Sequence, residues 1–123
     1  MRRVLIAATI MLMLLPMSAQ ARQRHYRHHG YICGATQAAY FHLPVSKYAL
    51  ALNWDDLPHT YPHPGAVVVQ RRAGRALGGG PGGHVSRIVQ LTDNRCEAVV
   101  ADEKGMYRRD ICRNLVSYVQ PPG

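Results

Sequence analysis

Pro58, Pro62 and Pro64 divide this chain into two unlike halves. Proline fixes φ and donates no backbone hydrogen bond, so three in one short stretch forbid regular structure up to Gly65. Before the break, apolar residues fall at helical spacing. Cys33–His42 reads as a short helix with Ala35, Ala38, Ala39 and Phe41 toward a core, ended by Pro44. Ser46 caps a second predicted helix, SKYALALNWDDL, with Tyr48 or Ala49, Leu52 and Trp54 near helical spacing. After the break the pattern belongs to strands. Ala66–Gln70 is a continuous apolar run, as in a buried strand. Arg71–Gly83 reads as a basic, glycine-rich loop, and His84–Leu91 as a second strand. Glu97–Ala101 and Met106–Ile111 flank the turn-forming Asp102-Glu103-Lys104-Gly105, which predicts a hairpin. Leu115–Val119 is a last short strand. Helices first and strands after give an α+β domain: short N-terminal helices packed on a small antiparallel sheet.

The N-terminus carries a different signal. Met1-Arg2-Arg3 is followed by the apolar run Val4–Leu15, then Pro16, then Ala19-Gln20-Ala21. That order is a secretory signal peptide over residues 1–21, with cleavage after Ala21. A membrane-spanning helix needs roughly 20 apolar residues, and Pro16, Gln20 and Arg22 cut this run short. The mature chain is then periplasmic or secreted, with no integral membrane segment after processing. Residues 22–30, RQRHYRHHG, have no apolar period and read as a disordered, basic, His-rich arm. His25, His28 and His29 offer metal ligands, but a structural site needs four fixed donors, so a solvated tail is the simpler reading and no cofactor or metal is expected. The folded domain runs from 31 to 123. The formal net charge is +8 at pH 7 and stays positive once Arg2 and Arg3 are removed. A basic exported protein is drawn to an anionic cell-envelope polymer such as peptidoglycan; export argues against nucleic acid.

A domain this small benefits from a covalent staple, and the chain has three cysteines. Cys96 and Cys112 flank the hairpin and stand opposite each other if its turn centres on Lys104. That register sets Val100 against Arg108 and does not sort the two faces cleanly, so a shift of one residue is open. An oxidising compartment permits the Cys96–Cys112 disulfide. Cys33 is then left free at the start of the first helix, where the dipole favours a thiolate. His84 follows the glycines Gly82 and Gly83 and supplies the base that an activated thiol requires. Asp102 and Glu103 are the candidates to orient its ring. Arg71, Arg72 and Arg75, with Gly83 beside His84, are candidates to hold an anionic part of a substrate.

Cys33 at a helix start, then Pro64-Gly65-Ala66-Val67-Val68-Val69, then Gly83-His84-Val85, resemble the CHAP family in that order. These are cysteine, histidine-dependent amidohydrolases and peptidases of bacterial cell walls, related to the NlpC-type papain-like fold. The resemblance spans roughly Cys33 to Cys112. It implies a papain-like arrangement for residues 31–123, Cys33 as nucleophile, His84 as general base, and Glu103 or Asp102 as the orienting group. The expected function is an exported cysteine amidase or peptidase acting on peptide or amide bonds of peptidoglycan. Two other readings stay open: a non-catalytic relative that binds the envelope, and a metal-binding protein built on the His arm.

Overall fold

The structure, a computed structural model, describes residues 32–75 and 81–123. The expected signal peptide (1–21), the His-rich arm (22–30) and Gly78–Gly80 lie outside them. The chain runs through helix α1 (Ile32–Tyr40), one turn of helix α2 (Val45–Tyr48), a 3-10 helix (Ala51–Asp56), and strands β1 (Val67–Arg75), β2 (Pro81–Leu91), β3 (Glu97–Asp102), β4 (Gly105–Asp110) and β5 (Leu115–Val119). The class is α+β, as the sequence predicts. The strands form one antiparallel sheet in the order β4-β3-β2-β1-β5. Among the described residues no helix is long and apolar enough to cross a membrane.

The helical half differs from its prediction in two ways. The second helix breaks after one turn, and Pro44 rather than Ser46 precedes it. Side chains take the carbonyls that a continuous helix would use: Trp54 Nε1 donates to Tyr48 O at 2.7 Å and Asn53 Nδ2 to Lys47 O at 2.7 Å. Helix α1 buries Cys33, Gly34, Gln37 and Ala38, while Ala39 is exposed. Gly34 packs directly on the backbone carbonyls of Tyr48 and Ala49, where a side chain has no room.

The largest correction concerns Arg71–Gly83. Arg71–Arg75 extend β1 and Pro81–Gly83 begin β2, with Arg71 opposite Gly83 and Arg72 opposite Gly82. Glycine and arginine read as loop in sequence, but here pairing decides. Gly83 lacks the Cβ that would press on Leu52. In the hairpin, Glu97 opposes Asp110 and Asp102 opposes Gly105. This is the one-residue shift, closing on Glu103-Lys104 with Gly105 at φ 104°. It sets Val100 against Tyr107 and gives β3 a clean alternation, with Ala98, Val100 and Asp102 buried. Cys96 and Cys112 still meet, with Cα atoms 5.0 Å apart, and form the disulfide.

Two apolar clusters lie on the two faces of the sheet. Val67, Val69, Val85 and Val119 pack under the helices with Cys33, Tyr48 and Trp54. Val68, Ile88, Ala98, Val100 and Ile111 pack on the other face. The chain passes from edge strand β4 to the opposite edge strand β5 through only residues 111–114. Across a flat five-stranded sheet that step is roughly 19 Å at about 4.8 Å per strand, near the limit for so short a segment. The sheet therefore curls, and Gln70 ties the curl. Its Nε2 donates to Asp110 O at 2.9 Å and Arg113 O at 2.8 Å, and its Oε1 accepts from Arg109 Nε at 2.7 Å. The second cluster thus lies on the concave face of a curled sheet.

Two outcomes follow from this packing. Gln70→Ala removes the side-chain donor to two carbonyls and the acceptor of Arg109 Nε and lowers stability by about 2–4 kcal/mol in urea unfolding. Reducing Cys96–Cys112, which spans 16 residues, costs about 3 kcal/mol in the chain-entropy model, and non-reducing peptide mapping links these two cysteines and leaves Cys33 free.

Candidate active site

His84 lies on β2 in register with Gln70, so its ring enters the curled interior along with Ser86 and Val68. Asp102, the last residue of β3, faces the same interior. The two side chains are 1% and 0% exposed, and His84 Nε2 lies 3.0 Å from Asp102 Oδ2. On the other side of the ring, Arg72 Nη2 lies 2.5 Å from Nδ1. A guanidinium only donates, so Nδ1 accepts. Nε2 then carries the proton and donates to Asp102. Asp102 Oδ2 also accepts from Tyr107 OH at 2.5 Å, and Oδ1 from Lys104 N at 2.8 Å. Of the two acidic candidates, Asp102 is the one that holds the ring. Glu103 Oε2 is buried without a partner.

The imidazole is neutral. Burial comes first in pushing its pKa down from 6.5 to about 4; the charges of Arg109 and Arg72 push the same way, against Asp102. His84, Asp102 and Glu103 each offer a ligand atom within 4.8 Å of one another. The His84 nitrogen on the Asp102 side carries a proton, however, and is not a metal donor in this arrangement.

Cys33 approaches from the helical side. The β2–β3 ladder starts at Arg87 and Ala101, which leaves the His84–Val85 stretch of β2 without a β3 neighbour. Cys33 packs in the helix-side cluster with Val85, and the backbone N–H groups of Val85 and Gly34 act to lower its thiol pKa. Val85 and His84 alternate along β2, so the thiol lies on the helical face and the His84 ring on the other. Both ring nitrogens are already engaged, by Arg72 and Asp102, and neither is left for the thiol. Cys33 is 4% exposed. The sequence predicts a thiol pKa lowered by the helix start. Burial instead raises it, with Glu103 adding to the rise, and the Val85 N–H and Arg72 only partly offset this. Desolvation of a thiolate outweighs a one-turn dipole contact.

The arginines form a further part of the site. Arg71 and Arg72 line a cleft of about 430 Å³ with Tyr107, Arg108, Arg109 and Arg113. Arg75 ends β1 outside that lining, and Gly83 faces Leu52 on the helical side. Residue type and order alone do not single out Arg108, Arg109 and Arg113 as site residues. The signal for them is the run Tyr107-Arg108-Arg109 in a strand whose alternate residues return to the interior.

His84 makes stability depend on pH. Its folded pKa lies below the unfolded value, so between pH 6.5 and about 4 the unfolded chain binds the extra proton. Stability from this group is flat above pH 6.5, falls as the pH drops toward 4, and levels off below. At about 1.4 kcal/mol per unit the loss is on the order of 3 kcal/mol. Urea midpoints measured from pH 7 to 4 fall steeply for the native chain and more gently for His84→Gln.

Comparisons with protein-family models, with curated proteins and with solved structures return no match to this chain, so the site is read from its own geometry.

Proposed function

We propose that this chain is an exported cysteine amidase or peptidase of CHAP-like, papain-like type, acting on peptide or amide bonds of peptidoglycan. The observation that carries the reading is the buried His84–Asp102 pair, with Cys33 packed against the neighbouring Val85 on the helical face of β2. Asp102 holds the ring in the tautomer whose lone pair is on Nδ1, the state required of a general base. Cys33 supplies the nucleophile: its sulfur attacks the carbonyl carbon, His84 accepts the thiol proton and then gives it to the leaving amine. The backbone N–H at the start of α1 would stabilise the developing oxyanion. The reaction requires Arg72 to leave Nδ1.

A second reading has its own observation. With Arg72 seated on Nδ1 and Cys33 buried, the resting site is closed to chemistry. A non-catalytic envelope-binding protein would keep it so, using its basic cleft alone.

Assay of the processed protein on peptidoglycan and on small amides separates the two. For an enzyme, Cys33→Ala abolishes turnover and His84→Ala costs orders of magnitude, because nucleophile and base act as one unit. Asp102→Asn costs far more than Glu103→Gln, since only Asp102 bonds the ring. An inert native protein whose Cys33 alkylates no faster than an ordinary buried thiol, with and without peptidoglycan, rules the enzyme out in favour of the binding module.

A further inference from the structure

The cleft carries more positive charge than the fold requires. Arg71 and Arg72 come from β1, Arg108 and Arg109 from β4, and Arg113 from the β4–β5 link. Of the five, Arg108 alone has a carboxylate within ion-pair range among the described residues, Glu97 at 3.1 Å. The one acid in the lining, Asp110, turns its Oδ1 to the backbone N–H groups of Cys112 and Arg113 at 2.9 and 3.1 Å. Arg71, opposite Gly83, leaves β1 on the helical face, and among the described residues Arg72, Arg109 and Arg113 have no carboxylate within ion-pair range.

Two of them are held in place. Arg109 is half-buried, with Nε on Gln70 Oε1 at 2.7 Å and Nη1 on Tyr107 OH at 3.1 Å. Arg72 is fixed by His84. Gln70 bonds Arg109 Nε and the Arg113 carbonyl and so draws the end of β4 and the 111–114 link toward β1, where these arginines share one cleft. Self-repulsion in such a cluster is relieved by an anion. Guanidinium groups arriving from three chain segments suit a ligand with oxygens in several directions and more than one charge. A phosphate group meets that description; a single carboxylate presents one planar edge to one fork.

We infer that this cleft binds a phosphate group, and that its occupation draws Arg72 off His84 Nδ1. The first half stands on the cleft alone; the second rests on the reading of His84 as general base. Arg72 has one guanidinium and two candidate partners. A doubly charged anion in the cleft is a stronger acceptor than a neutral imidazole nitrogen. Once Arg72 turns to it, Nδ1 is free to accept a proton. In this scheme the resting enzyme is braked, and a phosphate-bearing envelope ligand releases the brake.

The test is binding and not turnover, so its failure is separate from failure of the enzyme reading. The full processed chain is titrated at low ionic strength with inorganic phosphate, with glycerol phosphate and with vesicles containing phosphatidic acid. Acetate at matched ionic strength is the control. Saturable binding of phosphate that exceeds acetate by tenfold or more is expected, weakened at least tenfold in Arg109→Gln/Arg113→Gln and unchanged in Arg75→Gln. Circular dichroism and urea midpoints confirm that the variants fold. Tighter binding of vesicles than of glycerol phosphate assigns the group to a lipid headgroup, and equal binding to a soluble ester; both support the cleft. Phosphate no tighter than acetate, or binding untouched by the double variant, overturns it. His84 ring nitrogens are followed by NMR in the same titration. A changed Nδ1 resonance with a raised His84 pKa is expected, and an unmoved ring in the phosphate-saturated protein overturns the coupling.

Discussion

Gln70 is the residue on which the functional half of this molecule hangs. One neutral amide, 2% exposed, bonds two carbonyls and a guanidinium that come from beyond β4 and from its end. Those bonds hold the curl that the short 111–114 link imposes. Without the curl, β4 would lie three strands away from β1, and Arg109 would not reach Gln70. The interior would be one more apolar sheet face. With it, a polar chain runs unbroken from Gln70 through Arg109 and Tyr107 to Asp102, His84 and Arg72. A buried polar network is tolerable only when its members satisfy one another, and this one nearly does.

The two halves of the sequence differ in how far they disclose the fold. The proline break, the hairpin and the Cys96–Cys112 pair are legible, because proline and cysteine carry geometric demands of their own. The hairpin register is legible only to within one residue. What decides it is a two-residue turn with Gly105 at positive φ, and the burial that follows from it. The break between Tyr48 and Ala51 is not legible, since nothing in SKYALALNWDDL forbids a helix. It depends on the Trp54 indole finding the Tyr48 carbonyl across the break. Arg71–Arg75 is misread for a related reason. Local preference there is weak, and strand structure comes from partners on both sides, Gly82 and Gly83 on β2 and Asn114 through the Arg71 N–H.

The site shows the same division. Cys33, His84 and the Asp102-Glu103 pair stand out by residue type and order; the fold bonds His84 to Asp102 and packs Cys33 on the helical face of β2 beside Val85. Their state does not stand out. The sequence places Cys33 at a helix start and suggests a thiolate. It gives no sign that Tyr48 and Ala49 close over Gly34 beside it and leave the sulfur buried. Nor does it reveal that Arg72, two residues after Gln70 on the same face of β1, is the group that reaches Nδ1. Side chains that meet across a curled sheet are far apart in sequence, and only the closure brings them within range.

Arg72 also bears on why His84 is neutral. A histidine bonded to a carboxylate ordinarily gains proton affinity, and Asp102 alone would act that way. Burial and two guanidinium charges reverse the balance. The same charges that line the cleft therefore set the protonation state of the ring behind it. Neutralising them from the cleft side would remove two of the three causes of the depressed pKa while leaving Asp102 in place. Cleft and ring are in this sense one electrostatic unit, linked by Arg72 and Arg109, and the charge state of either is fixed only once that of the other is given.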